Sequence, residues 1–205
     1  MPIDTLDDTA KQILDAASRR FLHYGYGKTT MSEIAQDCNM STGNLYRYFP
    51  SKLDIAEMFV RVLRREQVAT LRAVVDDPSR TPPEKLRAFF LKKFQLAYER
   101  FHDKPKAYEL SSELIAARPK LAIEWENAEG RVLSEILVLG DAEGLFAVEK
   151  PEETAVVEQS PEELPKPHPL HHHILSDARD VPLGDLEMTP RQLASRVLHF
   201  AVYLS

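Results

Sequence analysis

Residues 29–52 read TTMSEIAQDCNMSTGNLYRYFPSK, and the spacing within this stretch decides the fold. Thr30 and Glu33 stand at the distance of a capping box, in which the hydroxyl accepts from the Glu33 N–H and the carboxylate reaches back to Thr30. A helix therefore starts at Met31 and buries Ile34, Ala35 and Cys38 at three- and four-residue spacing. It ends at Asn39, a residue that tolerates the left-handed backbone. Ser41 has the chemistry of the next N-cap, and Thr42, Gly43 and Asn44 give a first turn of small side chains that a phosphate or base edge can approach closely. Leu45 and Phe49 point inward, while Tyr46, Arg47 and Tyr48 set two phenols and a guanidinium around the second helix before Pro50 stops it. Ser51 and Asp54 cap a third start.

A short capped helix, a tight turn and a second helix with a polar first turn form the helix-turn-helix pattern, whose second helix enters the DNA major groove. The same spacing also serves as a plain core hairpin. Residues 10–60, above all FLHYGYGKTTMSEIAQDCNMSTGNLYRYFPSK at 21–52, resemble the N-terminal domain of the TetR family of bacterial one-component transcriptional regulators. The resemblance implies an all-α fold, with a three-helix helix-turn-helix DNA-binding domain at 1–50 and a connecting helix at 51–75. A helical ligand-binding and dimerisation domain follows at 76–205. The chain departs from the family at Thr42, often basic there, and at Asn44, often Thr, so no operator sequence carries over.

Candidate DNA contacts are Thr30, Ser41, Thr42, Gly43, Asn44, Tyr46, Arg47, Tyr48 and Lys52, with Lys28 and Thr29 as phosphate contacts beside them. Base reading falls to Thr42, Asn44 and Arg47, because Asn pairs with adenine and Arg with guanine through two hydrogen bonds each. The resemblance assigns Tyr46 and Lys52 to phosphates.

With 205 residues, 43% of them hydrophobic, the chain is long enough for a reading head and a larger body. Its net charge of −6 argues against nonspecific nucleic-acid binding by the whole chain. Yet residues 19–72 hold nine Lys/Arg against five Asp/Glu, so the basic face is the one that would meet DNA. The N-terminus MPIDTLDD is acidic, no apolar run approaches the ~20 residues of a membrane span, and a lone Cys38 builds no disulfide framework. A cytoplasmic protein without a membrane span is expected.

Along the chain, residues 5–23 form an amphipathic bracing helix with Ala10, Ile13, Leu14, Ala17, Phe21 and Leu22 inward. Tyr24 and Tyr26, between Gly25 and Gly27, are packing residues. One long helix runs from Ser51 to about Val75 as the only covalent strut between head and body, with Arg61, Arg64 and Arg65 on a solvated face. After the linker-like DDPSRTPPE, residues 82–102 carry a stripe of Phe89, Phe90, Phe94, Tyr98 and Phe101. A helix opening at Lys104–Pro105 runs to Arg118, and another spans 119–143, its end loosened by Gly140 and Gly144. An apolar effector pocket lined by Met58, Val62, Phe90, Phe94, Tyr98, Tyr108, Ser111 and Trp125 is expected between the long helix and the two that follow it; plain core packing is the other reading of these residues.

Beyond Lys150 the prolines multiply, which predicts a long loop at about 151–188, then a final helix opening at Thr189 and Pro190. His168, His171, His172 and His173 lie in that loop without a Cys nearby, and ligand geometry is not pre-set there, so no metal site is assigned. No phosphate-cradling glycine loop, HExxH pair or Gly-x-Ser-x-Gly elbow occurs, so neither an enzyme nor a cofactor is expected. The sequence thus reads as a repressor that binds a palindromic double-stranded operator as a homodimer and is released by a small hydrophobic effector. A helical protein-interaction module is the alternative.

Overall fold

The computed structural model describes residue 3 and residues 6–146, which hold seven α-helices and no strand. These are α1 (Asp8–His23), α2 (Met31–Asp37), α3 (Thr42–Tyr48), α4 (Lys52–Val75), α5 (Pro82–Phe101), α6 (Pro105–Ala117) and α7 (Lys120–Ala142). The Pro-rich loop at about 151–188, its histidines and the helix expected from Thr189 lie outside the described residues.

The chain divides into two compact units, and not at the linear boundaries expected from sequence. Among the described residues, the first comprises those up to 67 and 100–119, the second 68–99 and 120–146. α4 is shared between them, and α6, expected in the body, belongs with the reading head. The long helix is consequently not the only covalent link, because the chain also passes between units at 99–100 and 119–120.

In the first unit α1 begins at Asp8, later than expected, since the Asp7 carboxylate caps it by accepting from the Ala10 N–H at 2.7 Å. α1 packs on α2 and α6, and α2 on α3. Ala10, Ile13, Ala17, Phe21, Ile34, Leu45 and Ile55 are fully buried. Removing each large apolar side chain from water contributes about 1.5–3 kcal/mol, far more than the surface ion pairs that trim the same contacts. Leu22, expected inward, is exposed, and so is Tyr24, which stands edge-on to His23 instead of packing in the core. Tyr26 does pack, tilted against Phe21.

The second unit is built around Leu71, Val74 and Val75 of α4, Leu86 and Phe89 of α5, Val132, Leu133, Ile136 and Leu137 of α7, and Phe146. Gly140 does not loosen this core. It is buried, and a Cβ there would overlap the Phe146 ring. The ring is folded back over α7 by the Leu145 and Phe146 N–H groups, both donating to the Gly140 carbonyl at 2.8 and 3.0 Å. Lys93 of α5 meets the buried Glu129 of α7 at 3.0 Å, and Arg72 of α4 pairs with Glu135.

Candidate nucleic-acid interface

The local chemistry of the helix-turn-helix appears as the spacing requires. Thr30 Oγ1 accepts from the Glu33 N–H at 3.3 Å and the Glu33 carboxylate accepts from the Thr30 N–H at 2.8 Å, completing the capping box. The α2 C-cap is Cys38, and Asn39 takes φ 54°, which turns the chain toward Ser41. Ser41 Oγ accepts from the Asn44 N–H at 3.2 Å and starts α3. Ser51 and Asp54 exchange two hydrogen bonds ahead of α4.

These caps leave the polar face of α3 open. Gly43, Tyr46 and Arg47 are exposed, Tyr46 by 50%, and Thr42, Asn44 and Tyr48 are half-buried. Ser41 and Lys28 are also exposed. Thr30 is exposed too, but its hydroxyl is engaged with Glu33. Thr29 differs from expectation. Its side chain is 2% exposed and its hydroxyl donates to the Gly25 carbonyl at 2.9 Å, so it holds the turn between α1 and α2 and cannot reach a phosphate.

Lys52 is turned the same way. Its ammonium donates to the carbonyls of Tyr26 at 2.6 Å and Thr29 at 2.8 Å, and lies 4.2 Å from the centre of the Tyr26 ring. Two of its three N–H groups are thereby spent inside the protein. Burial lowers the ammonium's pKa, with Glu113 and Glu33 pulling it back.

Sequence reasoning did not find the residues that seat this head, because they are distant in sequence. Arg20 of α1 grips Asp37 of α2 with two hydrogen bonds at 2.6 and 2.9 Å and adds Glu33 at 3.2 Å. The Arg20 hydrogen bonds hold the Asp37 carboxyl below the usual carboxylate range. From α6, Glu109 pairs with Lys106 at 2.7 Å, and its carboxyl is held below the usual carboxylate range chiefly by that bond, with the nearby Gly27 backbone adding to it. Both side chains crowd Gly25, whose φ of +99° admits glycine readily. At the end of α6, Arg118 donates to Asp54 of α4 at 2.5 Å and also meets Glu57. Arg61, expected on a solvated face, is half-buried and bonds Glu57 at 2.6 Å.

The eight residues expected to line an effector pocket are distributed over both units. Met58, Val62, Tyr108 and Ser111 belong to the first; Phe90, Phe94, Tyr98 and Trp125 belong to the second. In the second unit Trp125 is buried, Phe90 packs against the core and Tyr98 is half-buried, whereas Phe94 is exposed. Among the described residues no group of His, Cys, Asp and Glu could hold a metal ion, and no helix is long and apolar enough to cross a membrane.

With this geometry in hand, known proteins give a consistent comparison. Residues 13–58 match the model of a family described as bacterial regulatory proteins, tetR family. Over 137 residues, 66% of this chain and 68% of the relative, the sequence is 28% identical to the HTH-type transcriptional repressor KstR2 of Mycobacterium tuberculosis. The solved structure of that organism's ketosteroid transcriptional regulator KstR2 is similar with a TM-score of 0.51 at 20% identity, covering 97% of this chain and 95% of that one. Thermus thermophilus FadR, a transcriptional repressor in complex with lauroyl-CoA, is similar with a TM-score of 0.53 at 22% identity, covering 95% and 92%. At such identities the two structures speak for the fold.

Proposed function

Because this chain is a transcriptional regulator of the tetR family of bacterial regulatory proteins, we propose that it is a ligand-responsive repressor, binding a palindromic operator as a homodimer and leaving it when a small, mostly hydrophobic effector binds. The observation that carries the DNA half is α3: a Ser41-capped first turn of small residues, followed by exposed Tyr46 and Arg47. Backbone and side chains of that turn suit close approach to base edges. In this reading Thr42, Asn44 and Arg47 read bases, and Ser41, Gly43, Tyr46, Tyr48 and Lys28 meet the backbone. Lys52 braces the turn behind them.

The effector half rests on the second unit. Phe90, Phe94 and Tyr98 recur at four-residue spacing along α5, Lys93 of α5 meets the buried Glu129 of α7, and Trp125 of α7 is buried. Aromatic walls with few polar groups are the usual make-up of a site for an apolar ligand. One structural neighbour is a complex with lauroyl-CoA and another is a ketosteroid transcriptional regulator, and both support the same class of effector. Exposed Val138, Leu139 and Leu145 offer apolar surface for a second copy. A cytoplasmic location accords with these roles.

A gel shift against DNA upstream of the protein's own gene, with random DNA as competitor, tests the first half. A shift that resists the competitor, a footprint with two inverted half-sites about one helical turn (~34 Å) apart, and a dimer in sedimentation are expected. Absence of a specific shift would favour a helical protein-interaction module. For the second half, the chain's single tryptophan, Trp125, is the reporter. Lauroyl-CoA and ketosteroids that release the DNA should alter its emission, and release without any change in Trp125 would place the effector elsewhere.

A further inference from the structure

The first unit contains a cavity of about 590 Å³ that the reading above does not use. Its lining combines apolar Ile3, Phe49, Pro50 and Met58 and the phenol of Tyr48 with Arg61, Arg65 and Arg118 and the carboxylates of Asp54 and Glu57. The size lies within the range of small-molecule sites, and a lining that mixes apolar side chains with a few charged groups suits an amphipathic ligand. Three guanidiniums line it against two carboxylates among the described residues, so the lining favours an anionic head.

Guanidinium forks match carboxylates, sulfonates and phosphates through paired N–H donors. Arg118 and Arg61 already converge on Glu57, which shows that these side chains can be brought onto one acid group. A ligand carboxylate entering there would share guanidinium donors with Glu57 and Asp54, and its hydrocarbon part would cover Met58 and Phe49. Phe49 and Pro50 end the recognition helix α3, so an occupant would sit against the segment that sets the position of that helix.

We propose that this cavity is a second small-molecule site, built into the reading head and separate from the effector site of the second unit, and that it takes an amphipathic organic anion with a compact acidic head and an apolar body. The proposal stands whether or not the head binds an operator.

Calorimetric titration of the full-length protein with decanoate, and with decanol as the neutral counterpart, tests it. Decanoate should bind the parent with a dissociation constant below about 1 mM, the weak end of specific affinity. One decanoate equivalent should be weakened about tenfold or more in Arg61→Gln/Arg65→Gln, as expected for loss of charge-assisted bonds. Decanol should show no event sensitive to that substitution. Circular dichroism melting establishes that the double variant is folded. If it is not, Arg65→Gln alone, at an exposed position, carries the test with an expected weakening of about threefold. Identical decanoate isotherms for parent and folded variant, equal sensitivity of decanol to the substitution, or no decanoate binding to the parent would each overturn the proposal.

Discussion

Replacing Lys52 by Met separates two roles that a basic residue can play at the start of α4. The ammonium donates at 2.6 and 2.8 Å to the carbonyls of Tyr26 and Thr29, both in the turn that leads into α2. Methionine keeps most of the aliphatic stem but removes both donors. A hydrogen bond involving a charged group is worth about 1.5–3 kcal/mol when well shielded. The half-buried setting of Lys52 reduces this toward the smaller values of solvent-screened interactions, and burial of the ammonium carries its own desolvation cost. The expected net loss is therefore about 1–3 kcal/mol of stability in the absence of DNA. Urea unfolding of parent and variant, followed by circular dichroism, should show a lower midpoint with an unchanged slope. DNA affinity should fall as the turn loosens, but the dependence of log K on log salt should stay the same, because no phosphate contact is lost. A phosphate contact predicts the reverse: unchanged urea stability and a salt slope flatter by about 0.9. That combination would refute the bracing role.

Asn44→Ala should weaken operator binding by about 1–3 kcal/mol while leaving affinity for random duplex nearly unchanged; equal losses on both in a competition gel shift would remove Asn44 from base reading. Gly140→Ala should destabilise the second unit by about 1–3 kcal/mol through displacement of the Phe146 ring, less the gain in helix propensity, and the penalty should vanish in a Phe146→Ala background when both pairs are compared by denaturation. Acid should loosen the first unit. The Arg20 hydrogen bonds lower the Asp37 carboxyl, and at Asp54 burial acts upward but the hydrogen bonds from Arg118 and Ser51 outweigh it. Depressed carboxylates contribute stability that is complete above their unfolded pKa of about 3.9 and is lost as pH falls through the lower folded values. A melting temperature flat from neutrality to about pH 5 and falling below about pH 4 is expected, with Arg20→Gln and Arg118→Gln flattening the acid limb; an acid limb unchanged by either substitution would contradict this account.

What was legible in the amino-acid sequence was whatever is encoded over four or fewer residues. The Thr30–Glu33 box, the Ser41 cap, the left-handed Asn39 and the stop at Pro50 depend on backbone groups one turn away, so their spacing suffices to place α2 and α3. The stripes of α5 and α7 obey the same one-turn geometry, so their spacing places those helices to within a residue or two. Hydroxyls and ammonium groups are different, because a Thr or Lys beside a recognition helix has the same local signature whether it faces solvent or folds back. Only the tertiary structure turned Thr29 onto the Gly25 carbonyl and Lys52 onto two carbonyls of the same turn. It also assigned α6 to the reading head through its packing on α1 and through Arg118 on Asp54, contacts whose partners lie far apart in sequence and leave no periodic trace. Gly140 shows the limit most plainly: as a symbol in a helix it reads as a weak point, and only the return of Phe146 over it makes the missing side chain a requirement of packing.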